Sequence, residues 1–356
     1  MDGGAGRRWS DRSPQATERI SGRVQGSLAL IKSAFSAARQ VVWVGRCRFG
    51  ILRDLVSFSF SREDSRSGNS MIAPASLQRP IFIVGTVRSG TTLLAKCLGD
   101  HPEICWVHDE GTEMSTTWHA ATRVSLGVPR LACEHCLPAD ASAATDAVRE
   151  QTRSAFDALF RQNRAAGEHR FLGKNPHLWN KLPFLKALFP DAELVVTSRD
   201  LRSTVLSTQF LWMRLERQYN VRHYLPPEDD RCFRCVSVAN SADLDPERLF
   251  PGGKVTVLAD YWLRAHEAIE RAVASSSRAI CVRHRDLVEE STRTLDRLHE
   301  RLGVKPRGDR LNTEIDVSRN QRWSVLLSER EKHELNDWIA EHATRIARLT
   351  CADTTH

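Results

Sequence analysis

The stretch that most constrains this chain is Ile81-Phe82-Ile83-Val84, followed at once by Gly85-Thr86-Val87-Arg88-Ser89-Gly90-Thr91-Thr92. Four consecutive apolar residues suit a strand buried on both faces, and such strands belong to parallel sheets covered by helices. The glycines turn the chain directly into a helical pattern carrying Leu93, Leu94 and Leu98. In a turn of this kind the backbone N–H groups and the helix N-terminus can wrap an anion. Similar apolar runs recur at Leu194-Val195-Val196-Thr197 and Ala279-Ile280-Cys281-Val282, with helical patterns between them. Strands alternating with helices predict an α/β fold in which a central parallel sheet is covered on both faces.

The glycine spacing is G-x-x-x-x-G followed by two residues. The position of the nucleotide-binding lysine, however, holds Thr91, which disfavours a nucleoside triphosphatase. Arg88 keeps a cation inside the loop. The backbone at Gly90 and the hydroxyls of Ser89, Thr91 and Thr92 can reach anionic oxygens.

A second segment, Leu194 to Ser207, reads as a strand ending in Arg199-Asp200-Leu201-Arg202 with a serine eight residues after Arg199. Arginine offers a two-pronged fork to a phosphate, and a strand that opens into a helix sets Ser207 two turns further on. The two segments together resemble the cofactor motifs of the sulfotransferases that use 3′-phosphoadenosine 5′-phosphosulfate (PAPS), chiefly the bacterial type, similar to the tyrosylprotein enzymes. The resemblance covers roughly residues 80 to 340. It implies a P-loop-NTPase-like α/β/α sandwich with a central parallel sheet, a 5′-phosphosulfate loop around Arg88 and a 3′-phosphate site at Arg199 and Ser207, with PAPS as co-substrate and 3′,5′-adenosine bisphosphate as product.

Catalytic residues follow from the same resemblance. His101-Pro102-Glu103-Ile104 leads to Trp106-Val107-His108-Asp109-Glu110-Gly111-Thr112-Glu113, where the family carries its general base. Glu110 falls nearest that place, with Glu113, Asp109 and His108 as rivals. A base must sit within hydrogen-bond reach of the acceptor proton. Phe171-Leu172-Gly173-Lys174-Asn175-Pro176-His177 is similar to the family's Lys-Asp-Pro or Lys-Thr-Pro element, so Lys174 is expected to support the leaving oxygen. Val282-Arg283-His284-Arg285-Asp286-Leu287-Val288 resembles a stretch that starts a helix beneath the cofactor. Ser318-Arg319-Asn320-Gln321-Arg322-Trp323 resembles the loop that closes over the 3′-phosphate, with Arg322 as the expected contact.

Nine cysteines in a fairly long chain do not resemble the disulfide framework of a small secreted domain. Free thiols or metal ligands are expected instead. Cys133-Glu134-His135-Cys136 and Cys232-Phe233-Arg234-Cys235 each have knuckle spacing, and four thiolates would close a structural zinc site if the fold joined them. Unpaired thiols and disulfide or redox chemistry stay open beside zinc.

A net charge of +7 favours anionic partners, but the arginines are spread along the chain, which argues against nucleic acid. Residues 1–79 read as a basic extension, with one helical segment through Leu28, Ile31, Phe35, Ala38 and Val42 and a polar linker. That segment suits packing on the main domain or on a partner, or peripheral membrane contact through residues 25–55. The first 25 residues lack the apolar core of a signal peptide, so a cytoplasmic protein is expected. The transferase domain is expected at 80–345, with acceptor-side insertions at about 115–150 and 215–255. Its acceptor would be a small molecule, glycan or lipid, and no motif encodes its identity or the oligomeric state. Two other readings remain: a small-molecule kinase on the same fold, and a nucleotide-binding scaffold without catalysis.

Overall fold

Strand β1 (Ile81–Val84) is wholly buried and alternates its side chains between two apolar clusters. Phe82 and Val84 join one and Ile81 and Ile83 the other, as the two-residue period of a doubly covered strand requires. The computed structural model describes residues 77–106, 137–227, 232–274, 276–307 and 315–351. The expected N-terminal helix and linker, Glu110 and its rivals, and Cys133 and Cys136 lie outside the described residues.

After β1 come α1 (Thr91–Gly99), β2 (Ile104–Trp106), α2 (Asp146–Asn163), β3 (Arg170–Lys174), α3 (Leu182–Leu188), β4 (Glu193–Ser198) and α4 (Leu201–Tyr219). A small antiparallel sheet of β5 (Val221–Tyr224), β6 (Arg234–Ser237) and β7 (Leu249–Phe250) follows, in the order β6-β5-β7. The chain then forms α5 (Val255–Val273), β8 (Ala279–Arg283), α6 (His284–Glu289), α7 (Ser291–Leu302), α8 (Trp323–Leu326) and α9 (Glu329–Ile346).

The main sheet has five strands in the order β2-β3-β1-β4-β8, every pair parallel. One face is covered by Leu94 and Leu98 of α1 and by Leu295, Leu298 and Leu302 of α7. The other carries the larger cluster, to which α2 to α5 and α9 contribute. Phe82, Phe156, Phe171 and Phe189 meet there at centroid distances of 5.1–6.2 Å, mostly edge to face. The expected α/β/α sandwich with a central parallel sheet is the fold of these residues.

Because all five strands run the same way, the C-terminal ends of β3, β1, β4 and β8 lie along one edge of the sheet. The segments leaving them are Lys174-Asn175, the Gly85–Gly90 loop, Arg199 and His284. Ligands in open α/β sheets sit outside this edge. At the opposite edge Glu193, almost fully buried, accepts from Arg79 at 2.7 Å and from Arg278 at 3.2 Å.

One expectation about cysteine is corrected. Cys281 on β8 and Cys351 beyond α9 form a disulfide, with Cα atoms 5.3 Å apart. The two are 70 residues apart in sequence, and only the packing of the C-terminal segment beside the outer strand brings them together. Cys97, Cys105 and Cys232 form no disulfide among the described residues. Among the described residues no helix is long and apolar enough to cross a membrane.

Candidate functional site

The loop after β1 is tightly folded. An added Cβ at Gly85 would stand 2.5 Å from both Ser89 Oγ and the Thr197 carbonyl, so no larger residue fits without displacing backbone. Ser89 is fully buried, and its hydroxyl donates to the Thr86 carbonyl at 2.8 Å. The Ser89 carbonyl in turn accepts from Thr197 Oγ1 at 3.2 Å. The Ser89 hydroxyl, expected as a ligand contact, therefore shapes the loop from within. Arg88 at φ 67° and Gly90 at φ 98° both take left-handed backbone. For arginine this conformation is uncommon and costs energy that the surroundings must offset.

Gly90 is the N-cap of α1, and no side chain caps that end of the helix. The first-turn N–H groups, with Thr91 buried and Thr92 exposed, are left for an anion. Arg88 reaches out of the loop, and its Nε donates to Ser207 Oγ at 2.9 Å. Two sequence motifs 119 residues apart thus meet in one hydrogen bond.

Arg199 leaves the end of β4 and is 8% exposed. Its carbonyl accepts from the indole Nε1 of the fully buried Trp262 at 3.1 Å. Its Nη2 donates to Asn320 Oδ1 at 3.3 Å. Asp200 caps α4, its carboxylate accepting from Ser203 N at 2.8 Å. The Ser203 hydroxyl donates to the Asn320 carbonyl at 2.8 Å, which pins the 316–323 segment to the first turn of α4. Trp323 fixes the same segment from outside, since the Arg202 guanidinium lies 5.0 Å from its ring centre. Burial holds the Arg202 pKa below the ordinary arginine value. Arg322 is ion-paired to Asp316 at 3.1 Å within the segment and its side chain is about half exposed.

Lys174, the last residue of β3, is 6% exposed. Asn175 beyond it is fully buried, and its Oδ1 accepts from His177 N at 2.8 Å, closing a tight turn. His177 packs edge-on against Phe233, and Cys232 lies beneath it, its Sγ 3.9 Å from the His177 carbonyl. The small antiparallel sheet thereby sits beside the end of β3. Cys235 lies on β6. Among the described residues no group of three or more His, Cys, Asp or Glu side chains is arranged to hold a metal ion.

Two residues that no motif assigned to ligand binding also belong to this edge. His284 is buried against the loop, where a Cβ on Gly90 would lie 2.3 Å from His284 Cδ2. Burial, and then the Arg199 charge, push its imidazole down to about pKa 3, so the ring is neutral. Asn320 stands between this ring and Arg199.

Residues 80–251 match the model described as Sulfotransferase family. A curated relative, the nodulation protein NoeE of Sinorhizobium fredii, is 30% identical over 141 residues. That match takes in 37% of this chain and 31% of the relative, so the chain spans about a third of that relative's length. Among solved structures, a sulfotransferase from Alicyclobacillus acidocaldarius is similar at 18% identity and a TM-score of 0.46, over 77% of this chain and 95% of that one. The sulfotransferase domain from the curacin biosynthetic pathway is similar at 17% identity and a TM-score of 0.43, over 75% of this chain and 98% of that domain. Over residues 80–251, just under half of its length, this chain is similar to the sulfotransferase family.

Proposed function

We propose that this chain transfers the sulfuryl group of PAPS to a hydroxyl or amine on a small-molecule, glycan or lipid acceptor. The observation that carries the reading is the 2.9 Å hydrogen bond from Arg88 Nε to Ser207 Oγ. It joins the loop suited to a 5′-phosphosulfate to the helix suited to a 3′-phosphate. A ligand with anionic groups on both the 3′ and the 5′ oxygens of one ribose matches two such neighbouring subsites.

In this reading Arg88, the backbone at Gly90 and the first turn of α1, with Thr91 and Thr92, hold the phosphosulfate, while Arg199 and Ser207 hold the 3′-phosphate. Thr86 Oγ1 and Ser198 Oγ are buried at the same edge and have no hydrogen-bond partner among the described residues. Orphaned polar atoms in a site are what a missing polar ligand leaves behind. The acceptor oxygen or nitrogen bonds to sulfur as the bond from sulfur to the bridging oxygen breaks, and 3′,5′-adenosine bisphosphate departs. Glu110 takes the acceptor proton, and the Lys174 ammonium offsets the charge that grows on the departing oxygen. Residues 80–345 form the transferase domain, and 1–79 are a separate extension.

Calorimetric titration of 3′,5′-adenosine bisphosphate and of ATP, each with and without Mg²⁺, tests the reading on wild type and on Arg199→Ala. Metal-independent binding of the bisphosphate, weakened in Arg199→Ala, is expected. Preference for Mg²⁺-ATP would instead favour phosphoryl transfer.

A further inference from the structure

His284 is buried where two parts of the site converge, and its position is shaped on both sides. On one side the ring occupies the space that a Cβ on Gly90 would need, 2.3 Å from His284 Cδ2. Gly90 is both the last residue of the phosphate loop and the N-cap of α1. On the other side stands Asn320, whose Oδ1 accepts from Arg199 Nη2 at 3.3 Å. The Asn320 amide acts on the His284 ring as a hydrogen-bond partner, and among the described residues Asn320 Nδ2 and His284 Nδ1 are buried with no other partner. Asn320 cannot drift from this place, because its carbonyl is held by Ser203 Oγ at 2.8 Å. His284 itself is the first residue of α6, and its backbone direction is fixed by β8, paired with β4 through Arg283 and Ser198.

These contacts form a continuous line, Gly90 to His284 to Asn320 to Arg199, that runs from one anion-binding element to the other beneath the place of the ligand. A neutral ring suits that place. A charged one would repel Arg199, and burial with the arginine's charge keeps the ring deprotonated down to about pH 3. A flat, rigid side chain also transmits a shift of the loop to the amide without absorbing it in rotamer changes.

We infer that His284 is a positioning residue that holds the Gly90 loop and the Arg199 guanidinium in register, so that the two anionic ends of one nucleotide are gripped as a unit. The inference rests on the proposed PAPS site and adds to it the residue that couples its two halves.

The test is a double-variant cycle read by calorimetry with 3′,5′-adenosine bisphosphate and, as the probe lacking the 3′ group, adenosine 5′-phosphate. In the proposed site Arg199→Ala lowers bisphosphate affinity about 100-fold, the loss typical of truncating a buried charged contact. His284→Ala alone is expected to lower it about tenfold. The double variant is expected to bind no worse than Arg199→Ala within about twofold, because the arginine that His284 positions is already gone. Losses that multiply to about 1000-fold would overturn coupling, as would wild-type affinity in His284→Ala.

His284→Phe keeps the packing on Gly90 and removes both ring nitrogens, so it carries the cycle if the alanine variant does not fold. A full tenfold loss in it is expected, whereas wild-type bisphosphate affinity would reduce His284 to a spacer and sink the proposal. If wild type binds no bisphosphate, the PAPS reading fails and this inference falls with it. If wild type binds it and the cycle is additive, only the role of His284 fails.

Discussion

The Arg202 guanidinium lies 5.0 Å from the centre of the Trp323 ring, and its Nη2 donates to Asn336 Oδ1 at 2.6 Å. One side chain of α4 thereby fastens both α8 and α9, and between its two partners and β4 lies the segment that brings Asn320 to Arg199. Removing the ring should loosen that segment selectively. Trp323→Ala forfeits about 0.5–1 kcal/mol of cation–π attraction, equivalent to a rise of up to about fivefold in local opening. Hydrogen exchange of the amides of residues 316–326 should speed up by that factor while β1 and β4 remain protected. Unchanged exchange there would show that the stack does not hold the segment.

Lys174 gives a different signature. If its ammonium acts on charge that develops only as the sulfuryl group moves, Lys174→Ala should lower turnover about 100-fold or more. Bisphosphate affinity should stay within about threefold, since the bridging charge is absent from the ground state. Parallel loss of affinity and turnover would assign Lys174 to binding.

The disulfide between Cys281 and Cys351 closes a 70-residue span. Cys351→Ser should cost about 2–4 kcal/mol of stability, mostly through the freer unfolded chain. Denaturant titration with and without dithiothreitol checks this. The reductant should lower the midpoint of wild type and leave that of Cys351→Ser unmoved.

Four of the buried imidazoles contribute to the response to acid. Burial is the first cause in each case, holding His223 and His284 at about pKa 3 and His266 and His299 at about 4, all below the ordinary value of 6.5. Between these values the unfolded chain binds more protons than the folded one, so stability rises with pH. The contribution is complete above pH 6.5 and is lost progressively as pH falls from 6.5 towards 4. Among the described residues neither ring nitrogen of His299 has a hydrogen-bond partner. Denaturation midpoints measured across that window should fall steeply in wild type and less steeply in His299→Leu. A flat wild-type profile would contradict neutral burial.

Much of this architecture is readable from residues alone. β1, β4 and β8 announce themselves as short apolar runs, β1 and β4 because they lie inside the sheet, while β8 at its edge buries Val282. β3 does not, since charged Arg170 and Lys174 bracket it and Gly173 interrupts it. Its arginine is accommodated only because the fold supplies the Leu302 and Arg79 carbonyls as acceptors. The small sheet escapes notice for a similar reason. Val221-Arg222-His223-Tyr224 looks polar, and His223 becomes a core residue only by stacking on Trp212 at 4.8 Å.

Within the candidate site, motif spacing singles out Arg199 and also Arg88 and Ser207, which meet in one hydrogen bond. It does not single out His284 and Asn320, because their placement depends on the missing Cβ of Gly90 and on a segment that returns 121 residues after Arg199. The Cys281–Cys351 pair is likewise invisible until the chain end packs beside β8.

The indole of Trp262 holds the Arg199 carbonyl at 3.1 Å from inside the core, and that has a kinetic meaning. In the proposed site the arginine's backbone is tied to the core without any ligand, so capture would need no ordering of that strand end. Encounter should then be governed by how often an anion meets the basic edge of the sheet, with ionic strength rather than chain rearrangement setting its pace.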